Sequence, residues 1–85
     1  MVKSVHTDAY AAIIAALVRA RRTRGITQTA LGRRLGKPQS FVSEIETRER
    51  RLDILEFYAV ARALGVDPRT LFAEVTRDVP DDVAI

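Results

Sequence analysis

Apolar positions recur along the chain in five blocks at helical spacing, and glycine, proline or a run of charge closes each block. In the first, Tyr10, Ile13, Ile14, Leu17 and Val18 predict a helix from Thr7 to Arg24. Thr7 is its expected N-cap, Asp8 complements the helix dipole, and Gly25 takes the C′ position. Thr27 is the expected N-cap of a short second helix. Ile26 and Leu31 stand where a hydrophobic staple needs them, Ala30, Leu31 and Leu35 face inward, and Gly36 ends the helix. The third helix starts almost at once, with Pro38 in its first turn and Phe41, Val42 and Ile45 as its buried stripe. It stops at Arg48-Glu49-Arg50-Arg51. Asp53 and Glu56 are spaced as a capping box for a fourth helix, whose apolar set is Ile54, Leu55, Phe57, Tyr58, Val60, Ala61 and Leu64. After Gly65, Asp67-Pro68 opens a fifth helix through Leu71, Phe72 and Val75. No stretch carries the alternation of a strand. The expectation is an all-α, five-helix domain over residues 7–77, a flexible N-terminus at 1–6, and a tail at 78–85 that is frayed or dimer-associated. The second and third helices are joined too tightly to lie antiparallel, so a steep helix-turn-helix crossing is expected around Gly36.

Composition narrows the function. At 85 residues the chain makes one domain with a modest core, so its stability margin is thin. It has no cysteine, which removes disulfides, thiolate zinc sites and cysteine nucleophiles together. The apolar stretch Ala9–Val18 is too short to span a bilayer, and nothing at the N-terminus reads as an export signal, so a cytoplasmic, nucleoid-associated protein with no membrane partner is expected. His6 is the lone histidine, and no paired carboxylates, phosphate loop or Ser/His/Asp set is visible. An enzyme is therefore disfavoured and no metal or cofactor is expected. The net charge of +3 hides an asymmetry: residues 1–52 carry 11 basic and 4 acidic groups, while 53–85 carry 3 and 7. Twelve of the 14 cations are arginine, suited to bidentate contact with phosphate and guanine. A basic half and an acidic half suggest a polyanion-binding face with a different surface opposite it.

The run Arg21, Gly25, Ile26-Thr27-Gln28, Leu31, Leu35-Gly36, Gln39-Ser40, Val42-Ser43, Ile45-Glu46, Glu49-Arg50, Asp53 and Ala63-Leu64-Gly65 resembles the Cro/XRE-type, lambda repressor-like helix-turn-helix family. Each element is weak alone; the ordered set, at matching spacings over about Leu17 to Phe72, is specific. The resemblance implies a five-helix DNA-binding domain whose third helix enters the major groove, with its first residues at base edges and neighbouring groups on phosphates. On that resemblance Gln28 contacts a backbone phosphate, and Gln39, Ser40 and Glu44 face bases. A glutamine amide can read adenine bidentately, whereas Glu44 either accepts from cytosine or pairs with Lys37 or Arg48. Ser43 matches a phosphate contact. Arg21 and Glu46 match a pair that forms a buried salt bridge; a phosphate contact is the competing reading for Arg21 alone, and the structural role is the favoured one.

Five positions depart from the family pattern. Lys37 and Pro38 replace a small apolar residue and a serine cap, which frees Lys37 to point at a phosphate. Arg48 stands where glycine or asparagine is common, and a left-handed backbone there would strain it. Phe41 is bulky for its place and reads either as core or as a thymine-methyl contact. Arg33, Arg34, Arg50 and Arg51 complete the basic face. Gly32 stands where the family has alanine, at the crossing of the two short helices.

These features predict a sequence-specific transcriptional regulator, a repressor or autoregulator that binds a palindromic operator in double-stranded DNA as a homodimer. Candidate dimer residues are Leu71, Phe72, Val75, Val79, Val83 and Ile85, with core the competing reading for Leu71 and Phe72. The alternatives are an antitoxin, which would add a protein partner, a restriction–modification control protein, and an interaction module without DNA binding. The basic face and the two glutamines weigh against the last.

Overall fold

The computed structural model describes residues 2–83, with side chains from Asp8 onward. Five helices occupy this span: α1 (Val2–Thr23), α2 (Gln28–Leu35), α3 (Gln39–Glu46), α4 (Ile54–Leu64) and α5 (Pro68–Val75). α1 extends through Thr7, so the expected N-cap lies inside the helix. Ile85, one of the candidate dimer residues, lies outside the described residues.

The caps behave as the side chains dictate. The Thr27 hydroxyl accepts from the Ala30 N–H at 3.0 Å and starts α2. Asp53 and Glu56 close a reciprocal capping box at α4, and Asp67 caps α5 with Pro68 at its first position. Pro38 sits one position earlier than expected, as the N-cap of α3, where it offers no side-chain acceptor. Its ring still presets the backbone for entry into the helix.

α2 ends in a Schellman motif, in which the Gly36 N–H bonds to the Arg33 carbonyl at 3.1 Å and the Lys37 N–H to the Gly32 carbonyl at 2.8 Å. α3 ends with the same bond pattern, Arg48 to Ile45 at 3.1 Å and Glu49 to Glu44 at 2.9 Å. Here the left-handed residue is Arg48, at φ +65°, the sole non-glycine residue with positive φ among those described. That strain is built into the turn after the third helix.

The core joins Ile14, Leu17 and Ala20 of α1 to Leu31, Val42, Ile45, Val60, Ala61, Leu64, Leu71 and Val75. α2 packs on α3 and α4, α1 on α3 and α5, and α4 on α5. Gly32 is buried at the crossing of α2 with the turn into α3. A Cβ there would lie 2.8 Å from the Lys37 carbonyl oxygen and 3.2 Å from that of Pro38. Glycine thus sets how closely the two helices approach, a tighter requirement than the tolerance its place in the sequence suggests.

The fourth helix departs from its expected inward set. Val60, Ala61 and Leu64 are buried and Phe57 is half-buried, but Ile54 is 90% exposed, Leu55 74% and Tyr58 50%. Phe72 of α5 is 58% exposed and meets the edge of Phe57, with ring centroids 5.9 Å apart at 89°.

Candidate nucleic-acid interface

The interface rests on a buried ion pair. Arg21, near the end of α1, donates from Nε to Glu46 Oε2 at 2.6 Å and from Nη2 to Oε1 at 2.9 Å. Its Nη1 donates to the Ile26 carbonyl at 2.7 Å, so the guanidinium also fixes the loop into α2. Both side chains are nearly inaccessible, at 7% and 10%. A bidentate, fully hydrogen-bonded pair of this kind locks α1 to the last residue of α3.

From that pair a polar chain runs out to the surface. Gln28 Nε2 donates to Glu46 Oε1 at 2.8 Å, and Gln39 Nε2 donates to Gln28 Oε1 at 2.6 Å. The carboxylate can only accept, so the Gln28 amide must turn its nitrogen toward Glu46 and its oxygen toward Gln39. Gln39 must then turn its own nitrogen inward. What remains free on Gln39 is its carbonyl oxygen and one amide hydrogen, the acceptor–donor pair that matches the N6 and N7 edge of adenine. The buried charge thereby sets the polarity of an exposed amide.

Around Gln39 the exposed face carries Lys37, Ser40, Glu44 and Arg48, with Phe41, Ser43 and Arg50 half-buried. The first turn of α3 contains no acidic residue, so its free N–H groups keep their attraction for anions. Glu44 has no ion pair among the described residues, and the pairing with Lys37 or Arg48 that its sequence position allows is not formed. Arg50 donates from Nη2 to Glu56 at 2.7 Å, tying the loop after α3 to the cap of α4. Arg51 turns toward α1, its guanidinium 5.4 Å from the Tyr10 ring centroid, and the Tyr10 hydroxyl accepts from the Leu52 N–H at 3.2 Å. Arg33 is exposed on α2, and Arg34 donates to the Ala63 carbonyl at 2.8 Å, fastening α2 to α4.

The expected dimer residues divide. Leu71 and Val75 are core, at 0% and 3% exposure, with nothing left to offer a partner. Their spacing with Phe72 is that of one amphipathic helix, and only the fold shows which side of α5 is covered. Phe72 remains exposed, and Val79 and Val83 are half-buried. The sequence reading missed the exposed apolar residues Ile54, Leu55 and Tyr58, of which Ile54 and Tyr58 line an open apolar groove of about 530 Å³ between α1, α4 and α5. Its signal was present: apolar residues wrap further round α4 than one buried stripe needs.

No helix among the described residues is long and apolar enough to cross a membrane, and no His/Cys/Asp/Glu cluster with metal-binding spacing occurs among them. A helix-turn-helix family model of the Cro/C1/XRE type matches residues 17–71. Among solved structures, an XRE-family like protein from Pseudomonas syringae pv. tomato str. DC3000 superposes with a TM-score of 0.82 at 45% identity, covering 92% of this chain and 95% of that one. No curated protein matches.

Proposed function

The chain belongs to the XRE-type helix-turn-helix family of DNA-binding regulators, and from that premise we propose that it is a repressor or autoregulator that binds a palindromic operator as a homodimer. The observation that carries the reading is the hydrogen-bond chain Arg21–Glu46–Gln28–Gln39, which presents an oriented amide at the start of the recognition helix. Gln39 reads an adenine, Ser40 and Glu44 lie against neighbouring base edges, and Ser43 and Arg48 meet phosphates. Gln28 holds Gln39 and keeps one amide hydrogen for the backbone. The basic first half of the chain faces DNA and the acidic second half faces away.

The dimer reading draws on the exposed set Ile54, Leu55, Tyr58 and Phe72. Two-fold pairing buries the set twice. Weighted by exposure, this contributes on the order of 8–16 kcal/mol gross, against an association cost of roughly 4–15 kcal/mol. The two ranges overlap, which fits a weak dimer that a two-half-site operator tightens. The same apolar set would serve an antitoxin that holds a protein partner, and the solution mass of the isolated protein separates the two readings.

The test is a titration, at several salt concentrations, of the fluorescent duplex upstream of the protein's own gene against a scrambled one. The expected result is far tighter binding to the native duplex, a preference abolished by Gln39→Ala, while Arg48→Ala weakens both duplexes alike. Equal, weak binding of both duplexes by the wild-type protein would refute operator recognition.

A further inference from the structure

Phe41 is the third residue of α3, and its half-buried ring is engaged by two cations within the protein. The Arg50 guanidinium carbon lies 4.6 Å from the ring centroid and the Lys37 ammonium nitrogen 5.3 Å from it. Both are within cation–π range. One cation comes from the turn before α3 and the other from the loop after it, so a single ring gathers charge from both ends of the recognition helix. The cations are no further apart than the sum of those two distances, a range over which like charges repel at low salt. Glu56 compensates Arg50 at 2.7 Å, but no carboxylate pairs with Lys37 among the described residues.

We propose that Phe41 is a positioning residue, an aromatic platform that holds Lys37 and Arg50 as a two-point clamp on the phosphates of one DNA strand. The proposal rests on the DNA-binding reading above and adds how the backbone is gripped. Both cations stand on long, flexible stems whose ordering costs rotamer entropy. The ring bears that cost before DNA arrives, as Glu56 does for Arg50. A phosphate beside the two cations gives Lys37 the counter-charge it lacks in the bare protein, where Arg50 already has Glu56. Phe41 therefore acts on affinity through two phosphate contacts, and sequence is left to Gln39 and its neighbours.

The test compares wild type, Phe41→Leu and Phe41→Tyr. In the free protein, the side-chain methylene protons of Lys37 and Arg50 show ring-current shifts by NMR in wild type and Phe41→Tyr, and lose them in Phe41→Leu. On DNA, Phe41→Leu binds native and scrambled duplexes more weakly by a similar factor, roughly 5- to 20-fold at low salt. Its log–log salt slope falls by about 1–2, and Phe41→Tyr restores both affinity and slope. In a Lys37→Gln/Arg50→Gln background the same Phe41→Leu change has no further effect on the slope, a readout that lost packing would not produce. An unchanged slope in Phe41→Leu overturns the clamp. So does a loss confined to the native duplex and reproduced by replacing thymine with uracil, which would mark a methyl contact instead. Wild-type protein that binds neither duplex overturns the DNA reading and the clamp with it, whereas wild-type binding with no change in slope overturns the clamp alone.

Discussion

Replacing Gly32 with alanine sets two well-characterised effects against each other. Gly32 lies inside α2, where helix propensity alone favours alanine by about 1 kcal/mol. The added Cβ would sit 2.8 Å from the Lys37 carbonyl oxygen and within 3.3 Å of the carbonyl group of Pro38. Those are backbone atoms, and no rotamer change relieves them. The turn is also held from its other side: Lys37 N–H bonds to the Gly32 carbonyl at 2.8 Å, Gly36 is left-handed, and the Pro38 ring fixes its own φ. Overpacking against a constrained wall costs about 1–3 kcal/mol, and here the wall is stiffer than a side chain. The net expectation is a destabilisation of about 1–2 kcal/mol, or a fall in Tm of roughly 4–15 °C for a domain this size. Urea unfolding followed by far-UV circular dichroism measures it, with an unchanged m-value showing that the midpoint shift reports stability. A Gly32→Ala protein as stable as wild type, or more so, would refute the argument. It would show that the turn yields freely and that propensity decides.

Other perturbations follow from the same geometry. Arg21→Met leaves Glu46 charged and buried with only Gln28 as a donor, and should cost about 3–5 kcal/mol in chemical denaturation. Arg48→Gly relieves a left-handed arginine and should stabilise the protein by about 0.5–1 kcal/mol, while lowering the salt slope of DNA binding by about 1. Asp67 accepts the Arg69 N–H, and that backbone hydrogen bond holds its carboxyl below the usual carboxylate range. A depressed folded pKa stabilises the protein above the unfolded value, near 3.9, and the contribution is lost as pH falls through the folded value. The Tm gap between wild type and Asp67→Asn should therefore narrow on acidification below about pH 4. Ile54→Glu or Phe72→Glu should lower the apparent mass in sedimentation at micromolar concentration while leaving the circular dichroism spectrum unchanged.

Local chemistry was legible in the residues at most caps and turns, which act within four positions of themselves, though not at Thr7, which lies inside α1. The capping box of Asp53 and Glu56, the Thr27 cap, the Asp67-Pro68 start and the glycine ends of α1, α2 and α4 all involve hydrogen bonds between near neighbours. The all-α class and the helix-turn-helix follow from that punctuation together with the period of the apolar positions.

Other features required the assembled fold. Nine of the eleven residues of α4 are apolar, and nothing within those positions says which of them the neighbouring helices cover; Val60, Ala61 and Leu64 are buried, and Ile54, Leu55 and Tyr58 are left in solvent. Leu71 and Phe72 are adjacent and equally apolar, yet one is core and the other surface. Arg21 read as either a phosphate contact or a structural ion, because a basic side chain carries no mark of its partner; the partner stands 25 positions away. The amide polarity of Gln39 likewise depends on a carboxylate reached through a third residue. Sequence alone determined the five elements and most of their ends, the start of α1 excepted, because those interactions are local along the chain. Which faces are buried, how closely α2 meets the turn at Gly32, and which way the Gln39 amide points were decided by tertiary structure, because each depends on atoms brought together only by packing.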